Sequence, residues 1–191
     1  MLNIHALSYE HIGPFRGKVN VLLKPGNVLI KAPIGTGKSF LFFDGPIYSL
    51  YKYASRNLIN AHASVGSILC LFEIAEQLYL VQRNLKRTSV KEGCQSLLFL
   101  VQGQRDEILD RLFQQSAQIV SHEGDLRAWI EDGGGTLENV NFKNEIDLQQ
   151  QLDQILPPQE VVTSTLILFQ DSENIFQMQP AERIEVFKHI F

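Results

Sequence analysis

The chain has 191 residues, a length that suits one domain. Hydrophobic residues make up 45% and charged residues 20%, values that exclude a mainly disordered chain. The 17 Lys plus Arg stand against 21 Asp plus Glu, a formal charge of −4, so the chain as a whole is not a basic nucleic-acid module. No apolar run approaches the roughly 18 residues that suggest a membrane span. The first residues, Met1-Leu-Asn-Ile-His5, lack the charged start of a signal peptide. Cys70 and Cys94 have neither metal-site nor disulfide spacing. Together these features predict a reduced, cytoplasmic protein with no membrane contact.

Ile4, Leu7, Val19, Val21 and Leu23 are spaced for strands, with Gly13-Pro14 and Pro25-Gly26 as punctuation. Val28, Leu29 and Ile30 form a short apolar run that reads as a buried strand. A glycine turn at Gly35 and Gly37 follows, and residues 38–52 read as a helix. Residues 68–73 and 78–83 have the pattern of a hairpin, and a polar, basic stretch covers 84–92. A strand is expected over 97–101 and a helix over 106–118. Gly133, Gly134 and Gly135 mark a break. An amphipathic helix is expected over 144–156, closed by Pro157 and Pro158. A second apolar strand falls at 166–169, and Pro180 opens a final helix, where proline is best tolerated.

The most informative motif is Ala32-Pro-Ile-Gly-Thr-Gly-Lys-Ser39. It matches the phosphate-loop pattern G-x-x-x-x-G-K-[ST] with Ala32 in place of the first glycine, between an expected strand and an expected helix. Gly35 and Gly37 let the backbone curl so that successive N–H groups point at phosphate oxygens. The free N–H groups and dipole of the helix add to the anion site. Lys38 is placed to bridge the β- and γ-phosphates, and the Ser39 hydroxyl to ligate Mg²⁺. The expected nucleotide-binding stretch is Pro33, Ile34, Gly35, Thr36, Gly37, Lys38, Ser39 and Phe40. Phe40, Phe42 and Phe43 are also expected to pack in the core beside the loop.

Other stretches come in a recognisable order: His11-Ile-Gly-Pro-Phe-Arg-Gly17, Phe43-Asp-Gly-Pro-Ile-Tyr-Ser-Leu-Tyr51, the segment 72–83 ending in Tyr-Leu-Val-Gln-Arg, Leu166-Ile-Leu-Phe-Gln170, and Gln179-Pro-Ala-Glu-Arg183. With the phosphate loop they resemble the N-terminal half of the ATPase head of SbcC-like exonuclease subunits, in the SMC group. The resemblance is weakest over residues 95–150. It implies an α/β P-loop NTPase lobe of the ABC-ATPase type, with a mixed sheet and an antiparallel β-layer on one side. Such heads are split in sequence. A coiled coil would follow residue 191, and the C-terminal lobe would supply the signature motif, the Walker B carboxylates and the switch histidine. Two heads then sandwich two ATP molecules, an SbcD-like nuclease docks on the assembly, and DNA is bound non-specifically. Hydrolysis is expected only in the completed, dimerised head.

By the same resemblance Gln170 matches the glutamine-loop residue that contacts Mg²⁺ and the attacking water, so Gln170 and Lys38 are the expected catalytic residues. Ile59, Asn60 and Ala61 fall where related heads line the adenine. Arg16 falls near the base or ribose, although a solvated arginine fits there as well. One departure stands out: the family has Phe-Asp-Ala-Ile where this chain has Phe43-Asp-Gly-Pro46. Proline there removes a helix hydrogen bond and predicts a bent or short helix.

The alternative is a self-contained P-loop NTPase or kinase. The run Leu166 to Asp171 would be its Walker B strand, with Asp171 on Mg²⁺ and Glu173 nearby, although Gln170 breaks the usual spacing. Arg83, Lys86, Arg87 and Lys91 form a basic cluster that reads either as a solvated hairpin tip or as phosphate contacts to duplex DNA. The five histidines show no metal-ligand spacing.

Overall fold

The computed structural model describes residues 2–25, 33, 35–53, 57–88, 92–116, 118–163, 179 and 184. The strands expected at 28–30 and 166–169 and the helix expected after Pro180 lie outside the described residues, apart from Ile184, which is helical.

Seven strands form one sheet in the order β6-β2-β1-β3-β4-β5-β7. They are β1 (Asn3–Glu10), β2 (Lys18–Leu22), β3 (Val65–Ile74), β4 (Gln77–Arg87), β5 (Glu92–Gln102), β6 (Val120–Ser121) and β7 (Thr136–Asn139). Every pairing among the described residues is antiparallel. The mixed sheet of the sequence reading is therefore absent from them, while an antiparallel layer is present. The chain is a mixed α/β structure.

The centre is a meander, β3-β4-β5, whose strands carry continuous apolar runs at 68–72, 78–81 and 97–101. Its first turn has only two residues, Ala75 and Glu76, with Ile74 paired to Gln77. Both take positive φ, 49° and 65°, the hand that matches strand twist in a tight hairpin. The expected polar stretch 84–92 is shorter than the sequence suggested, because β4 runs on to Arg87 and β5 starts at Glu92.

Strand alternation sends side chains to two faces, and both faces are covered. On one, Leu7, Tyr9, Val21, Ile68, Cys70, Phe72 and Val81 pack with the helices α1 (Gly45–Tyr51) and α4 (Glu145–Ile155). On the other, Ala6, Leu22, Leu71, Leu80 and Phe99 pack with α2 (Arg105–Gln114) and α3 (Leu126–Asp132). A short α5 (Gln159–Val161) follows Pro158. The α3 helix starts at Asp125, whose carboxylate accepts the N–H groups of Arg127 and Ala128, and α4 starts at Asn144, which accepts those of Ile146 and Asp147. Strands β6 and β7 and helices α3 and α5 have no counterpart in the sequence reading.

The second face is covered along part of its length only. Where α3 ends its cover, the cross-strand register lines up Lys18, Glu10, Ser67, Asn84 and Gln95 in one polar row. An open groove of about 730 Å³ runs over this row and the neighbouring Lys86 and Gly93.

Candidate phosphate-binding loop

The loop lies between Pro33 and the start of a helical run that continues from 38 to 51. Gly35 and Gly37 have φ of 83° and 90°, a region that L side chains rarely adopt. At Gly37 the constraint is double, since a Cβ there would lie 2.4 Å from Pro14 Cγ and 3.0 Å from Phe15 Cζ. The loop is folded back on itself: Thr36 Oγ1 and Lys38 Nζ donate to the Pro33 carbonyl at 2.8 Å and 2.7 Å. The Leu41 N–H donates to the Gly37 carbonyl at 2.9 Å, which closes the first helical turn on the loop. Gly35, Thr36 and Ser39 are exposed, Gly37 and Lys38 half-buried, and Phe40 buried in the core. Pro33 and residues 35–40 thus stand at the start of the helix, while Ile34 and Gln170 lie outside the described residues.

The helix answers the question raised by Pro46. It neither stops nor breaks: residues Phe40–Asp44 form a π-helical turn, with i→i+5 pairing, and α1 continues from Gly45. Pro46 has no N–H, and its ring would clash with the carbonyl of Phe42 in a straight α-helix. Widening the turn removes that conflict. The Gly45 N–H then reaches the Phe40 carbonyl rather than that of Leu41. The Leu41 carbonyl receives the Tyr9 hydroxyl instead, at 2.9 Å. Gly45 is required as well, because a Cβ there would lie 2.3 Å from the Tyr9 hydroxyl.

A wall of two loops stands beside the phosphate loop. Gly13 N–H donates to the Leu58 carbonyl at 2.6 Å, and Asn60 donates from its backbone to His11 and from its amide to Gly13, both at 2.8 Å. Arg16 Nη2 lies 3.1 Å from His62 Nε2, both side chains being exposed. The expected adenine-lining residues sit in this wall, but much of their backbone is already engaged. The Glu92 carboxylate accepts the N–H groups of Leu58 and Ile59 at 3.1 Å and 3.2 Å. Arg87 Nη2 donates to the carbonyls of Ile59 and Asn60 at 2.7 Å and 3.4 Å. Ile59 and Asn60 are buried and Ala61 is exposed. Of the three, Ala61 alone offers an exposed surface to a ligand.

The basic cluster needs correction. Arg83 is neither a solvated tip residue nor a DNA contact, since its side chain is fully buried. Its Nε donates to the Ser49 carbonyl at 3.0 Å, Nη1 to Ser96 Oγ at 2.8 Å, and Nη2 to Gln149 Oε1 at 2.7 Å and the Leu50 carbonyl at 3.4 Å. It thereby caps the C-terminal carbonyls of the helix that begins at the phosphate loop. Burial pulls the guanidinium pKa down, against the opposing influence of Cys94 and Glu145. Glu145 completes the cluster by accepting from Lys52 Nζ at 3.0 Å and Ser96 Oγ at 2.7 Å, and also from the Ser96 N–H. Burial alone would raise this carboxyl, but the bonds from Ser96 and Lys52 outweigh it and hold it below its ordinary value. Arg87 is engaged by the wall, and Lys91 lies outside the described residues.

The sequence reading missed Tyr9, Arg83 as a buried group, Glu92 and Glu145. For two of them a signal existed. Tyr9 is in phase with Leu7, and Arg83 with Val81 and Leu85, so strict alternation already pointed both side chains into the core. Cys70 is not a candidate nucleophile, since burial pushes its thiol up to about 12.

No protein-family model matches this chain, and no curated protein matches it in sequence.

Proposed function

We propose that the chain binds Mg²⁺-ATP at the Pro33 to Phe40 turn, as the N-terminal lobe of an SbcC-like DNA-repair ATPase head with a P-loop NTPase fold. The observation that carries this reading is the loop itself: two glycines at positive φ, a lysine curled over the loop onto the Pro33 carbonyl, and a helix opening directly behind it. In this reading a phosphate group takes the place of the Pro33 carbonyl as partner of Lys38. Backbone N–H groups of residues 35–39 supply the remaining donors, and Ser39 ligates Mg²⁺. The base lies against the wall at Ala61, and Gln170 belongs to the completed site. The antiparallel layer beside the loop suits an ABC-type head more than a small kinase. The partners in this reading are the C-terminal lobe, a second head in a homodimer, an SbcD-like nuclease and DNA bound non-specifically.

The test is Mg²⁺-ATP binding by titration calorimetry on the chain and on Lys38→Ala. Binding that Lys38→Ala lowers by at least about tenfold is expected, the loss of one charge-assisted contact. Equal affinity in the two proteins would sink the assignment of the loop. Steady turnover by the chain alone, lost on Asp171→Asn, would move the reading to a self-contained NTPase.

A further inference from the structure

A π-helical turn inserts one residue into a helix, so it changes the helical phase between the segments on either side of it. Here those segments are the phosphate loop and the buried face of α1, which carries Ile47 and Leu50. The phase of the loop against the core is therefore set by whether the turn at Phe40–Asp44 is wide or closes to an ordinary α-turn. The two arrangements differ in one choice: the Gly45 N–H pairs with the Phe40 carbonyl in the wide turn and with the Leu41 carbonyl in the tight one.

We infer that Tyr9 is a positioning residue for the phosphate loop, its hydroxyl satisfying the Leu41 carbonyl that the wide turn at Pro46 leaves without a backbone partner. Both ends of the Leu41 residue serve this link: its carbonyl receives Tyr9 Oη at 2.9 Å, and its N–H donates to Gly37 in the loop at 2.9 Å. Pro46 makes the hydroxyl necessary, because the N–H that a π turn would bring to the Leu41 carbonyl belongs to residue 46. The Tyr9 ring adds a second connection. It packs against Phe15 and Phe40 with ring centres 6.0 Å and 5.8 Å away, and Phe15 in turn presses on Gly37. Burial raises the Tyr9 pKa well above its ordinary value, so the hydroxyl remains a donor at all physiological pH. Tyr9 touches no substrate in this arrangement and acts through Leu41. The inference rests on the nucleotide reading for its consequence, but not for its geometry.

The test uses the full chain, Tyr9→Phe, Tyr9→Phe combined with Pro46→Ala, and Ser49→Ala. Ser49→Ala deletes another buried bond in the same helix, from Ser49 Oγ to the Pro46 carbonyl at 2.9 Å, and so reports lost stability alone. Amide hydrogen exchange without nucleotide comes first. Tyr9→Phe is expected to speed exchange at Leu41 about tenfold, the factor that corresponds to one buried hydrogen bond, with Ser49→Ala close to the parent chain. Pro46→Ala restores an N–H within reach of the Leu41 carbonyl and should reverse most of the change. Mg²⁺-ATP titration should then show a Kd raised about tenfold in Tyr9→Phe and unchanged in Ser49→Ala. Leu41 exchange that responds equally to Tyr9→Phe and Ser49→Ala would overturn the inference, as would a Tyr9→Phe Kd equal to that of the parent. If Leu41 exchange responds as expected but the parent binds no Mg²⁺-ATP, the positioning stands and the nucleotide reading falls.

Discussion

Arg83 shows how much a single side chain organises here. Its guanidinium holds two backbone carbonyls at the end of α1, a hydroxyl on β5 and an amide on α4, with no exposed surface of its own. Arg83→Met keeps the stem and deletes every donor, so the Ser49 carbonyl loses its buried partner. The expected cost is about 3 kcal/mol, read as a lower urea midpoint at unchanged slope. The same residue marks the limit of sequence reading at this scale. Charge makes an arginine between two strands look solvated, and only the alternation Val81, Arg83, Leu85 reveals that it points inward. Gly37 was legible for the opposite reason, since the motif demands a backbone that only glycine takes easily. A second cluster governs the response to acid. Glu73 accepts from His5 Nε2 at 2.8 Å and from Arg105 at 2.8 Å and 2.9 Å. Burial lowers the His5 pKa below 6.5 in spite of Glu73, so the unfolded chain binds a proton that the folded chain resists. Stability from His5 is thus complete above pH 6.5 and is lost as pH falls towards the folded value. Burial of Glu73 would raise its pKa, but the bonds from Arg105 and His5 prevail and lower it below 4.5, so its contribution is lost only in stronger acid. Urea denaturation between pH about 5 and about 7 should show stability rising with pH, and His5→Gln should flatten that slope.

The elements read most clearly from sequence are those whose pattern is local. The β3–β4 hairpin follows from two apolar runs around a short turn, and the α4 helix from its amphipathic pattern closed by Pro157 and Pro158. Helix α3 was hidden because its seven residues, with Trp129 and Ile130 buried, are too few to show a period. Strands β6 and β7 owe their existence to neighbours, two residues pairing with β2 and four with β5, and carry no pattern of their own. The helix after the phosphate loop lies between these cases. Its presence and a disturbance at Pro46 were both legible, but the hydroxyl that meets the Leu41 carbonyl in the π turn comes from Tyr9, 32 positions away in sequence. The β3–β4 turn yields a prediction at the same scale. Ala75 and Glu76 both carry a Cβ at positive φ, which costs about 1 kcal/mol each relative to residues suited to it. Asn followed by Gly is the preferred pair for this geometry. Ala75→Asn with Glu76→Gly is expected to stabilise the chain by about 1 kcal/mol, seen as a Tm higher by several degrees with no change in Mg²⁺-ATP affinity.

At the scale of the whole molecule, the sheet separates two kinds of surface. One face carries α1 and so anchors the phosphate loop, while the other ends in the open polar row from Lys18 to Gln95. Binding and hydrolysis then make different demands on the protein. In the proposed reading, binding draws on the loop, its glycines and Lys38. Hydrolysis needs in addition a group that orients or deprotonates water beside the γ-phosphate. If that group comes from another lobe, Mg²⁺-ATP should bind to the chain in a saturable manner while phosphate release stays at the level of a Lys38→Ala control. Adding the C-terminal lobe from the same protein should then raise phosphate release by at least about a hundredfold, the usual contribution of one positioned acid–base group. Because the site would be shared between lobes, the rate should depend on the concentration of the added lobe and saturate with it. A rate independent of the second lobe, with Gln170→Ala without effect, would place the whole hydrolytic machinery within these 191 residues and remove the case for a split head.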